Sequence, residues 1–128
     1  MLSQDNNKNL IRSFFRFLGE GKIDQALALV DDNVKWWVQG HGTNGKPVMQ
    51  AIWSQVFVSA PGPDAMKLTG FVAEGDRVSA EAESNIPLPD GRIYHNTFHI
   101  LFEIHGDKIV SAREYFNTAL AQATFGNA

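Results

Sequence analysis

The stretch IVSAREYFNTA, residues 109–119, puts an acid where strand periodicity puts apolar side chains. Alternation sets Ala112, Glu114 and Phe116 on one face and Arg113, Tyr115 and Asn117 on the other. If the Ala112–Phe116 face is the inner one, Glu114 carries a carboxyl group into the protein. An apolar surround disfavours the charged form, raises the pKa toward neutrality and suits the group to acid–base work. The alternative is a structural acid, paired with a buried arginine or with backbone donors, and the sequence leaves both readings open.

Other polar groups are candidates by the same argument. In YHNTFHILFEI (94–104) the set Tyr94, Asn96, Phe98, Ile100, Phe102, Ile104 alternates with His95, Thr97, His99, Leu101, Glu103. The first set is almost wholly apolar and is expected to face the core. Asn96 is its exception, and a buried amide needs partners, either a ligand carbonyl or a neighbouring side chain. In VSAEAESNI the face Val78, Ala80, Ala82, Ser84, Ile86 is small, so it is expected to leave room for a pocket, with Ser84 as its polar contact. His41, in the glycine-rich QGHGTNG, has the unperturbed pKa of a proton exchanger near neutral pH; it stands beside Glu114 as a catalytic candidate, or is simply solvated.

Two other pairs do not survive geometry. His95 and His99 lie roughly 13 Å apart on a strand rising ~3.3 Å per residue, too far for one zinc ion. With no cysteine and no convergent third ligand, no metal site is expected. Glu81 and Glu83 lie about 6.6 Å apart by the same rise, which superficially suits a glycosidase pair. Their face also carries Arg77, Ser79 and Asn85, so a solvated surface or an interface is expected instead.

The elements that position these residues follow from the pattern. NNKNLIRSFFRFL (6–18) has the i, i+3, i+4, i+7 spacing of an amphipathic helix, with Gly19 as its terminating glycine. DQALALV predicts a short second helix with Asp24 as N-cap, and VKWWVQG a strand. GKPVMQAIWSQVF returns to helical spacing, with Pro47 in the first turn and a stripe of Val48, Ile52 and Val56 flanked by Met49 and Trp53. After SAPGPD everything reads as strand: the turns EGDR (74–77), PDGR (89–92) and HGDK (105–108) separate four apolar-rich runs, as in an antiparallel meander. Helices and strands are segregated, which predicts an α+β fold with helices on one face of a curved antiparallel sheet.

The totals agree with one domain spanning 1–128. A chain of 128 residues that is 44% hydrophobic and 20% charged can bury a genuine core. Net charge is −3 with no basic run, so no nucleic-acid partner is expected. No apolar run approaches the ~20 residues of a membrane span, and MLSQDNNKN lacks the blocks of a signal peptide; a cytoplasmic protein without membrane contact is the expectation. Glycine-rich phosphate loops and G-x-S-x-G are absent, which leaves nucleotide and serine-hydrolase chemistry without support.

This order of elements, the DDNVKWWVQG strand after the second helix, and above all the ending GDKIVSAREYFNTA resemble the nuclear transport factor 2-like superfamily, in its SnoaL-like, ketosteroid isomerase-like branch. The resemblance covers nearly the whole chain. It implies a cone-shaped curved sheet with three helices packed on it, an open end holding a small apolar molecule, and a homodimer formed through the outer sheet face, where Trp36, His95, His99 and Tyr115 would lie. It places Trp37, at the position of the isomerases' general-base aspartate, inside the cone. Of the Asp-Arg-Asp set of limonene epoxide hydrolases, the arginine and first aspartate fall on Ala82 and Ser84 and the last aspartate on Glu114. An indole cannot abstract a proton and one acid of three remains, so neither mechanism carries over intact.

The function expected is that of a cofactor-free enzyme acting on an apolar cyclic or polyketide-like compound by isomerisation, cyclisation or dehydration. Glu114 and His41 would exchange protons, Asn96 and Ser84 would orient polar atoms, and Trp37, Phe98, Phe116, Phe14 and Phe15 would supply apolar walls. The alternative is a non-catalytic ligand-binding or dimerisation domain of the same fold.

Overall fold

A computed structural model describes residues 2–58 and 60–126. Helix α1 spans Leu2–Gly19, α2 Ile23–Leu27, α3 Lys46–Phe57 and α4 Thr118–Phe125. The strands are β1 Val30–Val38, β2 Gly42–Asn44, β3 Met66–Glu74, β4 Arg77–Ser84, β5 Ile86–Pro87, β6 Ile93–Tyr94, β7 Thr97–His105 and β8 Lys108–Phe116. Six strands form one sheet in the order β2-β1-β8-β7-β4-β3, and β5 and β6 form a separate small hairpin closed by the PDGR turn. The expected α+β cone is present, with two differences of detail. The pairing of β1 with β8 is parallel, which makes the sheet mixed, and a fourth helix follows the last strand.

Helix α1 buries Ile11, Phe14, Phe15 and Leu18 on one stripe, the face its spacing predicts. It ends two residues later than Gly19 suggests. The Lys22 N–H donates to the Phe17 carbonyl (2.9 Å) and the Gly21 N–H to that of Leu18 (3.1 Å), while Gly21 takes φ +75°. This is a Schellman cap, and its left-handed residue is Gly21. Gly19 serves closeness instead: a Cβ there would lie 3.3 Å from the Gly62 carbonyl oxygen and the Met66 nitrogen.

Helix α2 begins one residue before Asp24, so Asp24 lies in its first turn rather than at its N-cap; there its charge favours the helix dipole. Helix α3 starts after Gly45 with Pro47 in its first turn, but its buried stripe is Met49, Trp53 and Phe57, at 2–5% exposure. Val48 and Ile52, expected inside, are 47% and 40% exposed. The two stripes are nearly equal in apolar character, and the larger thioether and aromatic side chains bury more area per position.

The inner sheet face carries Trp36, Val38, Ala80, Ala82, Phe98, Ile100, Phe102 and Ala112. Register shifts at Val30/Lys35, Leu68/Gly70 and Glu103/Ile104 mark bulges that bend the sheet around α1. Between α1, α3, β1 and β7 the interior is filled by aromatic side chains. Phe14 sits 5.7 Å from Trp36, 5.4 Å from Trp53 and 6.0 Å from Phe102, and Trp36 sits 5.0 Å from Trp53. These tilted and edge-to-face contacts are the packing that aromatic quadrupoles favour. Phe14 and Phe15 are therefore core, at 0% and 2% exposure, rather than the walls of an empty cone.

Candidate active site

Glu114 lies in β8 between Val38 of β1 and Ile100 of β7. Its face is the inner one, as alternation predicts: Ala112 is buried, while Arg113 and Tyr115 are exposed. The Trp36 Nε1–H donates to Glu114 Oε1 at 2.9 Å. Among the described residues no side chain or backbone group binds the other carboxyl oxygen, and no buried side-chain nitrogen or oxygen lacks a partner. Oε2 therefore meets solvent, consistent with the half-buried state of the residue. Burial pushes the Glu114 pKa up to about 7, against the opposing pull of the Trp36 N–H.

Trp36, not Trp37, is the indole inside. Adjacent strand residues face opposite ways, and Val30, Val34, Trp36 and Val38 are the buried residues of β1. Trp37 pairs with Arg113 across the parallel ladder and lies on the outer face, 5.0 Å from the Tyr115 ring with the Arg113 guanidinium 4.3 Å above it. Both the expected cone position of Trp37 and the expected outer position of Trp36 are thus reversed.

Tyr94, the last residue of β6, is the group that sequence reasoning passed over. It is 5% exposed. Its pKa is raised first by burial and also by the charge of Glu114, while a hydrogen bond from Asn96 lowers it. The phenol thus lies within electrostatic reach of the carboxyl group. The Asn96 Nδ2 donates to the Tyr94 hydroxyl oxygen at 2.8 Å, and no described residue accepts the Tyr94 proton. The phenol is held by its acceptor side and keeps its donor side free. The signal was in the sequence: Tyr94 heads the inner-facing set of its segment and ends in a polar group that a core position must satisfy.

Asn96 and Ser84 have their capacity consumed by the protein. Asn96 also donates to the Asn117 carbonyl (3.0 Å), and its Oδ1 accepts from the Thr97 and Asn117 N–H groups (2.8 and 3.1 Å). Ser84 donates to the Tyr94 carbonyl (3.0 Å) and accepts from the Asn96 N–H (2.9 Å). They act as braces that fix the Tyr94 segment against the end of β8. Phe98 stacks on Phe116 at 5.8 Å beside Glu114's strand. His41 sits exposed in the turn after β1 with its N–H bonded to the Val38 carbonyl; nothing ties its ring to the carboxyl group.

Helix α4 closes this end of the molecule. Asn117 caps it, its Oδ1 accepting the Leu120 N–H at 3.0 Å, and the Phe125 ring meets Tyr94 edge-on at 4.8 Å. Two open clefts lie elsewhere, one of about 470 Å³ between α2 and α3 and one of about 550 Å³ between α1 and β3; neither is lined by Glu114 or Tyr94. Among the described residues no three histidine or acidic side chains gather as a metal site, and no helix is long and apolar enough to cross a membrane. His95 and His99 stand on the outer face, bonded to Glu83 (3.2 Å) and Ser79 (2.6 Å).

Residues 11–112 match the profile of the SnoaL-like domain family. Among solved structures, a candidate polyketide cyclase from Streptomyces antibioticus, IdmH, superposes with a TM-score of 0.77 at 14% identity, over 94% of this chain and 98% of that one. A candidate SnoaL-like polyketide cyclase from Jannaschia sp. CCS1 gives 0.75 at 11% identity, over 98% and 94%. A designed protein with a curved β-sheet gives 0.74 at 16% identity, over 94% and 92%. A search of curated protein sequences finds no match.

Proposed function

The chain belongs to the SnoaL-like domain family, and from that premise we propose that it is a cofactor-free enzyme moving a proton on a small, apolar, cyclic or polyketide-like compound. The observation that carries the reading is a carboxyl group poised near pH 7 with one oxygen held by an indole N–H and the other free. A base for carbon acids needs a pKa near the working pH, so that it both takes and returns the proton. In the proposed step the free oxygen of ionised Glu114 takes a proton from the carbon beside a substrate carbonyl. The electron pair moves onto the carbonyl oxygen, and the Tyr94 hydroxyl donates a hydrogen bond to the charge that develops there. Return of the proton from Glu114 to another carbon completes an isomerisation; attack of the enolate carbon on a second carbonyl, with the proton passing from Glu114 to the alkoxide formed there, completes a cyclisation.

Phe98 and Phe116 would flank the substrate, and Phe125 would leave Tyr94 to admit it. The two candidate polyketide cyclases of the same fold support the substrate class by likeness alone. A direct test is deuterium uptake from heavy water into a panel of cyclic ketones and β-diketones. Wild-type protein should catalyse exchange, Glu114→Gln should abolish it, and Tyr94→Phe should slow it by roughly 10²-fold or more, the usual effect of removing one oxyanion donor. Exchange unaffected by Glu114→Gln would end this reading.

One observation favours a second reading. The Phe14–Trp36–Trp53–Phe102 cluster packs the interior between α1, α3, β1 and β7 with the protein's own aromatics, as in a domain that has kept the fold for association. Trp37, Tyr115 and His99 on the outer face would then serve a homodimer, and sedimentation finding only monomer at micromolar concentration would exclude it.

A further inference from the structure

The cleft between α1 and β3 has a composition that the site at Glu114 does not explain. Its floor is apolar, made by Phe15, Met66, Leu68 and Phe71, and its volume is about 550 Å³, within the range of small-ligand sites. It opens along the bulged part of the edge strand, where the register with β4 shifts between Leu68 and Gly70 and the Thr69 hydroxyl donates to the Glu81 carbonyl at 3.0 Å.

Its rim is cationic. Arg12, Arg16 and Lys67 line the cleft, and Lys8 Nζ lies 5.8 Å from the centre of the Phe71 ring. The Arg12 guanidinium sits 4.7 Å over the same ring and donates through Nη1 to Asn9 Oδ1 at 2.7 Å, which fixes its position. Among the described residues none of these four cations has an ion-pair partner. The acid on the lining, Glu20, is held by Lys22 at 3.1 Å. The protein as a whole is acidic, at −3, so this unpaired positive charge is local rather than a reflection of composition.

We propose that this cleft is a second binding site, selective for an anionic amphiphile: a small molecule with an aromatic or elongated apolar body and a carboxylate or sulfonate group. The body lies on the partly exposed Leu68 and Phe71, with the buried Phe15 and Met66 behind them. The anion sits between Arg12 and Arg16, which stand one helical turn apart on α1; the exposed Arg16 guanidinium, 4.9 Å over the Phe17 ring, swings from that ring to meet it. Guanidinium groups suit it because they donate in a planar fork and lose little hydration when paired. The site is independent of proton transfer at Glu114.

The probe pair is 1-anilinonaphthalene-8-sulfonate and its uncharged analogue N-phenyl-1-naphthylamine, titrated by fluorescence into wild type, Arg12→Gln/Arg16→Gln and Glu114→Gln. Both exchanged arginines are exposed, so the double variant keeps its fold, which circular dichroism checks. Wild type should bind the anionic probe more tightly than the neutral one, with affinity falling as salt rises. The double variant should lose about fivefold or more in affinity for the anion, the scale of two exposed charge contacts, with the neutral probe unchanged. Glu114→Gln should change neither. Equal binding of both probes, an unmoved double variant, or a response to Glu114→Gln would each overturn the proposal.

Discussion

The indole N–H of Trp36 and the carboxylate of Glu114 meet at 2.9 Å across the parallel ladder that joins β1 to β8. This contact links the two regions on which the chemistry rests, because Trp36 is also part of the aromatic cluster that fills the cone. The cluster fixes the indole, the indole fixes one carboxyl oxygen, and the other oxygen is left for a reactant. A buried acid without a basic partner costs stability in its charged form. That cost gives the first prediction its sign.

Glu114 has its folded-state pKa raised to about 7 from 4.5. Between these values the folded state holds a proton that the unfolded state has released, so stability falls as pH rises through this window and is lowest above pH 7. The difference of about 2.5 units corresponds to roughly 3 kcal/mol as an upper figure. Glu114→Gln keeps an acceptor for the Trp36 N–H and removes the charge. Urea unfolding should show the variant about 1–3 kcal/mol more stable than wild type at pH 8, and the two nearly equal at pH 4. A variant less stable at pH 8 would mean a carboxylate with a favourable partner.

The two adjacent tryptophans should respond oppositely to substitution. Trp36→Phe removes the N–H that lowers the Glu114 pKa, so the pH-dependent loss of stability should move to higher pH. Trp37→Phe lies on the outer face against Tyr115 and Arg113 and should leave that profile in place. Truncation should separate them in size as well: Trp36→Ala is expected to cost about 3–5 kcal/mol as a core deletion, and Trp37→Ala about 1 kcal/mol or less, as exposed surface changes do. Denaturation of the four variants across pH checks both statements.

Asn96 is predicted to be a brace. Its side chain makes four hydrogen bonds that tie Tyr94, Thr97 and Asn117 together. Asn96→Ala should destabilise the protein by about 2–4 kcal/mol, because it strands buried donors and acceptors. It should also free Tyr94 and uncap the connection to α4, seen as faster amide hydrogen exchange across residues 117–125. Loss of ligand affinity with unchanged stability would assign the amide to a ligand instead.

These outcomes bear on how much the sequence alone discloses. The inward face of Glu114 was legible because period-two alternation needs only local identity, and the meander was legible from three turns of similar composition. The phase of Trp36 and Trp37 was legible as well, since Trp36 shares its face with Val34 and Val38 and Trp37 shares the other with Lys35 and Gln39; the resemblance, not the alternation, had put Trp37 inside. The parallel pairing of β1 and β8 is by contrast a tertiary fact, set by how the intervening chain returns. Helix α4 did leave a signal, an asparagine N-cap before the alanine- and leucine-rich TALAQATF and a glycine after it. Asn96 and Ser84 were rightly placed inside, but their partners lie mostly in other strands and in backbone groups that no residue pattern reveals.

The measurement that tests the central claim most directly is the titration of the Glu114 side-chain carboxyl carbon by NMR, in protein labelled at glutamate Cδ, with Glu114→Gln supplying the assignment. One resonance is expected to titrate with a midpoint near pH 7, shifted upward in Trp36→Phe. A midpoint near the ordinary glutamate value, unmoved by Trp36→Phe, would contradict the central claim, and with it the proton-transfer chemistry assigned to this residue.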